Sequence, residues 1–283
     1  MREYIQLTKP RITWLILMST AVGFYFGASL GWTWALWIHT IIGTGLIASG
    51  TAALNQWWER EADARMQRTQ KRPLPLHLVS ANRALWFAIA LSAAGFLELW
   101  FGVNRLAAIL GLFTLMSYLF LYTPLKQRTP HSTTIGAIPG AMPPVIGYAA
   151  SAGTLDAQAW TLFAILFLWQ FPHFYSIAWL YREDYSRAGI KMLPVVDPTG
   201  ERTVRQILFY AILLVPVSLV PRYLEMSGNV YVGGAFLLSL TYLYYGMRIA
   251  RERTPLSARG VLMASIVYLP LLYGLMLADS ARL

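Results

Sequence analysis

Asn55, Glu59 and Asp63 stand four residues apart in the stretch Asn55 to Pro73, NQWWEREADARMQRTQKRP, and Arg68 and Arg72 follow with the same spacing. In a helix, a step of four residues advances the chain about 6 Å and turns it only about 40° from the starting face. The three oxygen-bearing side chains then share one face, and the two guanidiniums follow on the next turns. Hard divalent cations take oxygen ligands, and Mg²⁺ is commonly held by one or two carboxylates together with substrate phosphates. Arginine matches the remaining phosphate oxygens. The stretch reads as half of a metal–diphosphate site, with Asn55, Glu59 and Asp63 as candidate catalytic metal ligands and Arg68 and Arg72 as candidate diphosphate binders.

A second stretch, Tyr181 to Asp197, reads YREDYSRAGIKMLPVVD. It leaves the sixth apolar run as the first stretch leaves the second. Asp184 is its main candidate ligand and Glu183 a weaker one, because neighbours on a helix diverge by about 100°. Arg182, Arg187 and Lys191 can meet phosphate, and the short loop from Tyr122 adds Lys126 and Arg128. One such block alone reads most simply as a solvated loop. Two at corresponding helix ends favour a shared site.

The elements that carry these blocks are apolar. Hydrophobic residues are 57% of the 283 and charged residues only 13%, against roughly 25% charged in soluble proteins. Apolar runs of about 20 residues recur, which is the length that crosses a bilayer. They are continuous rather than alternating, so the spans are helices and not barrel strands. The expected fold is an all-α, polytopic bundle of nine transmembrane helices, near 12–31, 35–56, 84–103, 105–123, 134–152, 159–181, 204–222, 229–248 and 260–279. The first run reads as a span, not as a cleavable signal.

With nine spans, all of the 23 Lys and Arg residues except Arg105, Arg222 and Arg282 fall on one side. The positive-inside rule makes that side cytoplasmic, with the N-terminus in the cytoplasm and the C-terminus outside. The expectation is one integral-membrane domain over 1–283, in the cell (inner) membrane, with its chemistry facing the cytoplasm. The net charge of +10 then belongs to basic loops rather than to a nucleic-acid surface. The absence of cysteine excludes disulfides, iron–sulfur clusters and thiolate metal sites.

The fifth span, TIGAIPGAMPPVIGYAASAG, carries Pro139, Pro143 and Pro144 among small residues. It is either a kinked helix built for close packing or a helix shaped to line a cavity. Pro172 in the sixth span predicts a second kink. His173 beside it is an intramembrane ionisable group, which either bonds to a neighbouring helix or serves function. Glu98, near the outer end of the third span, is expected to snorkel to the interface. Trp57, Trp58, Tyr118, Tyr122, Phe171, Tyr175 and Tyr181 flank the polar blocks, either as an interfacial belt or as walls of an apolar tunnel.

Asn55-x3-Glu59-x3-Asp63 followed by Arg68-Thr69-x2-Arg72-Pro73-Leu74 resembles the first aspartate-rich motif of the UbiA superfamily of intramembrane prenyltransferases, and the second block resembles its second motif. Further details are similar to the haem-prenylating members of that superfamily. These are Leu7-Thr8-Lys9-Pro10-Arg11, Thr123-Pro124-Leu125-Lys126, Gly136-Ala-Ile-Pro-Gly-Ala-Met-Pro-Pro144, Trp169-Gln-Phe-Pro-His173-Phe, and Asp184-Tyr185 leading to Met192-Leu-Pro-Val195. The resemblance covers nearly the whole chain.

It implies a UbiA-type bundle in the lipid bilayer and a Mg²⁺-dependent enzyme with farnesyl diphosphate and haem B as substrates. Haem A synthase or a terminal oxidase is the implied downstream partner. With those substrates, Lys9, Lys126, Arg182 and Lys191 are expected at the diphosphate beside Arg68 and Arg72. His173 is a candidate axial ligand of the haem, or a hydrogen-bond partner of the substrate. Arg128 is a propionate candidate by charge and position, and Tyr185 is placed with the acceptor. The chain departs from the family pattern at Glu59, where aspartate is frequent, and in a second motif with Asp184 as its main acid, which leaves the number of Mg²⁺ ions open. A different aromatic acceptor, such as a quinone or chlorophyll precursor, is the alternative within the class. A secondary transporter is the alternative outside it.

Overall fold

The computed structural model describes residues 1–28 and 32–280. Residues 29–31, at the expected end of the first span, and Arg282 lie outside the described residues. Among the described residues every regular element is helical. The chain runs α1 (Arg2–Leu7), α2 (Pro10–Gly27), α3 (Trp34–Trp58), α4 (Arg60–Ala64), α5 (Ala81–Gly102) and α6 (Arg105–Met116), which continues through a π-helical stretch, Ser117–Tyr122, into α7 (Thr123–Leu125). It goes on as α8 (Ser132–Gly140), α9 (Pro143–Ala152), α10 (Ala157–Leu180), α11 (Arg182–Arg187), α12 (Leu193–Val196), α13 (Glu201–Val217), α14 (Val220–Tyr223), α15 (Asn229–Glu252) and α16 (Pro255–Ala278).

Seven helical segments among the described residues are long and apolar enough to cross a membrane: Trp34–Trp58, Ala81–Gly102, Arg105–Leu125, Ala157–Leu180, Glu201–Tyr223, Asn229–Glu252 and Pro255–Ala278. The chain is a multi-pass membrane protein. The other two expected spans are α2 and the pair α8–α9, and neither meets that standard. The fifth is cut at Ala141–Met142, where Ala141 leaves the helical conformation and Pro143 and Pro144 have no N–H to carry the hydrogen-bond ladder across. By contrast, α10 remains one helix across Pro172, so the expected kink does not interrupt it.

Of the two readings of the fifth span, close packing is the one seen in both halves. In α9, Pro143 to Ala150 are all buried, and the helix packs against α2 with almost no side chain between them. A Cβ on Gly23 would sit 1.8 Å from the Pro144 carbonyl oxygen, and one on Gly147 would sit 1.9 Å from that of Thr20. This is small-residue packing, which carries helix association in lipid where no hydrophobic force draws helices together. In the α8 half, Gly136 faces the Tyr122 ring and Gly140 faces the buried Gln170 of α10.

Two apolar cores result. One joins α3, α5, α6 and α9 through Ile47, Leu99, Leu115 and Val145. The other joins α10, α13, α15 and α16 through Leu162, Ile207, Tyr242 and Leu272. Leu155 and Phe163 pack against both. A third, small cluster lies at the polar end: Ala62 and Met66 from the first block pack with Ala178 of α10 and with Ala188, Ile190 and Met192 from the second. This apolar plug holds the two charged loops together. At the far end Glu98 does not snorkel alone, since its carboxylate pairs with His39 Nδ1 at 2.7 Å.

Candidate active site

The last turn of α3 presents Asn55, and Glu59 closes α3 and opens α4. The i to i+4 ladder survives this junction: Glu59 N–H donates to Asn55 O at 2.9 Å, and Asp63 N–H donates to Glu59 O at 2.7 Å. The four-residue register of the three side chains is therefore kept. Beyond Asp63 the expected helix does not continue. Residues 65–79 form turns, because the Gln67 N–H that would close the next helical turn donates to Asp184 Oδ1 at 3.2 Å. Thr69 Oγ1 takes the Asp63 carbonyl at 2.9 Å. Arg68 and Arg72 consequently part company.

Each member of the Asn55–Asp63 face has its own cation. Lys9 Nζ donates to Asn55 Oδ1 at 3.1 Å, Lys126 Nζ pairs with Glu59 Oε1 at 2.8 Å, and Arg72 Nη1 pairs with Asp63 Oδ2 at 2.6 Å. Asn55 and Asp63 are 2% and 1% exposed. Burial, reinforced by the nearby Arg72 charge, pulls the Lys9 ammonium down to about 7, with Glu59 opposing. For Glu59, burial favours the neutral acid, but Lys126, Lys9 and Asn55 together outweigh it and the carboxyl lies below its ordinary range. Burial also works against the Lys126 charge, and Glu59 reverses that, holding it well above the ordinary lysine range.

The π-helical stretch before α7 aims two rings at this cation. Lys126 Nζ lies 4.4 Å from the Tyr122 ring centroid and 5.9 Å from that of Tyr118. Such π segments recur at functional sites. Asn55 Nδ2 reaches Thr123 Oγ1 at 3.4 Å, tying α3 to α7.

Asp184 is placed differently from the sequence expectation. Its two oxygens accept the main-chain N–H groups of Gln67 and Arg68, both at 3.2 Å, and it pairs with Arg187. The Arg68 guanidinium donates to Tyr185 Oη at 3.2 Å and lies over the Tyr181 and Tyr185 rings. Lys191 has an exposed side chain, while its main-chain N–H donates to the Lys126 carbonyl at 2.7 Å and steadies that loop. Arg182 and Arg128 are exposed. The expected single diphosphate set thus divides in two. Lys9, Arg72 and Lys126 surround the buried carboxylates. Arg68, Arg182 and Arg187 line a neighbouring cleft, joined by Arg253, which the sequence did not single out.

Among the described residues no group of three or more His, Cys, Asp and Glu is close enough to form a metal cage. The donors that do gather, Asn55, Glu59 and Asp63, are hard oxygens. They suit an ion that completes its shell with substrate phosphates and water.

His173 lies at the contact of α10 with α16. Its Nδ1 is 2.7 Å from Ser265 Oγ, and that hydroxyl donates to the Leu262 carbonyl at 2.6 Å. With its proton on the Leu262 carbonyl, the hydroxyl accepts from His173 Nδ1–H in the tautomer that leaves the Nε2 lone pair free. The ring stacks on Trp169, 4.8 Å between centroids, and Trp169 Nε1 donates to the Ser265 carbonyl at 2.9 Å. Ser265 carried no signal in the sequence beyond being a small polar residue within an apolar run.

Residues 16–268 match the UbiA prenyltransferase family. The chain belongs to the UbiA prenyltransferase family. Among its relatives, the protoheme IX farnesyltransferase of Solibacter usitatus (strain Ellin6076) is 65% identical over 288 residues, covering 99% of each chain. That of Koribacter versatilis (strain Ellin345) is 45% identical, covering 99% of this chain and 93% of the relative. Of solved structures, digeranylgeranylglyceryl phosphate synthase superposes with a TM-score of 0.83 at 17% identity, over 100% of this chain and 99% of that one. A UbiA homolog from Archaeoglobus fulgidus bound to DMAPP and Mg²⁺ gives 0.70 at 17% identity, over 97% of this chain and 99% of that one. At such identities the structural likeness shows the shared fold. This UbiA-family protein is an enzyme, a membrane prenyltransferase, and the transporter alternative is set aside.

Proposed function

We propose that this chain transfers the farnesyl group of farnesyl diphosphate to a vinyl group of haem B (protohaem IX), giving haem O and pyrophosphate. The observation that carries this reading is the 65% identity, over 99% of the chain, to a protoheme IX farnesyltransferase. The geometry supplies its chemistry. Asn55, Glu59 and Asp63 would hold Mg²⁺. Asp184 is the remaining candidate ligand, with a lone pair of Oδ2 left beside the Arg68 amide. Bound there, the ion supplies Lewis-acid neutralisation of the departing diphosphate.

The chain's own residues do the rest by exchanging partners. Lys126, Arg72 and Lys9 are paired to Glu59, Asp63 and Asn55 and turn to phosphate oxygens when substrate arrives. As pyrophosphate departs, these preorganised cations stabilise the growing negative charge. The allylic carbon becomes cationic, and the faces of Tyr118 and Tyr122 suit a neighbouring cation. The haem vinyl attacks that carbon, water adds to the resulting cation, and a proton leaves to give the hydroxyethyl-farnesyl group. His173 Nε2 is the group that would meet the iron of the haem substrate. A quinone precursor as acceptor would offer that lone pair no metal.

The excess of Lys and Arg at the polar end supports a site at the cytoplasmic surface of the cell membrane, with the whole chain acting as one unit. Haem A synthase or a terminal oxidase would take the product. The test is to incubate the purified protein with haem B, farnesyl diphosphate and Mg²⁺ and to look by mass spectrometry for hydroxyethyl-farnesylated haem. Its absence, with substrate recovered unchanged, would overturn the assignment.

A further inference from the structure

The second group of arginines surrounds a real cavity. Arg68, Arg182, Arg187 and Arg253, with Trp179 and Tyr181, line a cleft of about 580 Å³ at the polar end of the bundle. That lies within the range of about 300–1,000 Å³ usual for small-molecule sites. Two acids also line it, Glu183 and Asp184. The Asp184 charge is already taken by Arg187 and by the amides of Gln67 and Arg68. Arg68 is held over two tyrosine rings and bonded to Tyr185 Oη. Arg253 is steadied by the Thr199 carbonyl at 3.3 Å. Among the described residues, Arg68, Arg182 and Arg253 have no carboxylate within ion-pair distance.

These cations stand apart from those at the Asn55–Asp63 face, where Lys9, Arg72 and Lys126 already match the buried oxygens. Two basic groups side by side fit two anion-bearing substrates. The cleft is also in register with His173. On α10, His173 and Leu180 are seven residues apart and so share one side of the helix, and Asp184 follows on α11. Leu180 and Asp184 line the cleft. Leu180 lies about 10 Å of helical rise beyond His173, a span that a porphyrin radius and its propionate arm cover together.

We propose that this arginine cleft seats the two propionate carboxylates of the porphyrin acceptor. The assignment rests on the haem reading above and moves the carboxylate-binding role from Arg128 to Arg68, Arg182, Arg187 and Arg253. It also removes Arg68 and Arg182 from the diphosphate set. Each flank of protoporphyrin IX carries a vinyl pyrrole next to a propionate pyrrole. Carboxylates fixed in the cleft therefore leave one vinyl-bearing flank to turn toward the neighbouring diphosphate site. The same chemistry would bind an anionic lipid headgroup, so the test must separate the two.

The test uses the full chain in phosphatidylcholine vesicles, with haem B and its dimethyl ester as alternative acceptors, and compares wild type with Arg182→Gln and Arg253→Gln. Arg187 is left alone because it also holds Asp184. Wild type should favour haem B over the diester by about tenfold or more, the order expected for charge-assisted hydrogen bonds to a carboxylate. Each variant should raise KM for haem B several-fold, leave KM for farnesyl diphosphate unchanged, and shrink the preference over the diester. Where turnover is lost, haem titration followed by absorbance should show the same loss of discrimination. Full discrimination retained in both variants would overturn the proposal. So would a rise in KM for farnesyl diphosphate alone. A defect equal for both acceptors and seen only after phosphatidylglycerol is added would make the cleft a lipid site instead. Wild type that prenylates neither acceptor would overturn the haem reading itself, and the cleft assignment with it.

Discussion

The carboxylate of Asp184 receives the main-chain N–H of Arg68 at 3.2 Å, joining residues 116 positions apart. With the Gln67 N–H on its other oxygen and Arg187 beside it, the second block's acid shapes the turn of the first. Asp184→Asn keeps the size but replaces an acceptor by an NH₂ group facing an amide, and it leaves Arg187 unpaired. An unmade bond of this kind costs about 1–3 kcal/mol. The ligand-free variant should therefore melt earlier than wild type in detergent, followed by tryptophan fluorescence. An unchanged melting temperature with lost turnover would show that Asp184 acts in chemistry and not in holding the two blocks together.

Asp63 is buried beneath Arg72 at 2.6 Å and lies on the face shared with Asn55 and Glu59. Asp63→Asn should lower turnover on the order of 10²–10³-fold, the usual loss when one preorganised electrostatic group is removed from a reacting centre. The check is the rate of haem O formation by protein shown to be folded in the membrane. Near-normal turnover would take Asp63 out of the metal and diphosphate site.

Asn55, Glu59 and Asp63 form less than a full cage, so a metal there depends on substrate phosphates for the rest of its shell. Chelation of Mg²⁺ should therefore stop turnover in the presence of saturating farnesyl diphosphate, and added Mg²⁺ should restore it. A rate unaffected by chelator would exclude metal assistance.

What the sequence made legible was what depends on local register. The spacing of Asn55, Glu59 and Asp63 survived because two successive i+4 bonds cross the end of α3. The divergence of Arg68 from Arg72 was not legible, because it depends on a bond from Gln67 to a residue 117 positions away. Arg253 and Ser265 went unnoticed for the same reason: one gains its role from the turn between α15 and α16, the other from the packing of α16 on α10. Glu98 read as a lone acid because His39 is its neighbour only across two helices. The small residues of the fifth span announced close packing, but not their partners: α2 for Gly147, Tyr122 for Gly136 and Gln170 for Gly140.

His173 offers Nε2 because Ser265 holds Nδ1. His173→Ala should shift the absorption spectrum of haem bound to the purified protein. Ser265→Ala should give a smaller change, since it frees the ring to turn without removing it. Identical spectra for wild type and His173→Ala would argue that the iron is not ligated there.

Gly136 on α8 is the seat of the Tyr122 ring. A Cβ at this position would lie 2.5 Å from Tyr122 Cδ2 and 2.6 Å from Cε2. The ring is further held by Tyr118, 5.1 Å between centroids and edge to face, and by Lys126 Nζ, 4.4 Å from the Tyr122 centroid. Gly136→Ala should thus displace Tyr122 and with it Lys126, the cation that pairs with Glu59. Alanine is favoured over glycine in a helix interior by about 1 kcal/mol, so the helix itself gains from the change and a lower rate reports on the site. Turnover should fall about tenfold or more. Tyr122→Leu removes the crowded ring, and in that background Gly136→Ala should have little further effect, as expected of two residues coupled by contact. Purely additive losses in that cycle would show that Gly136 does not act through Tyr122.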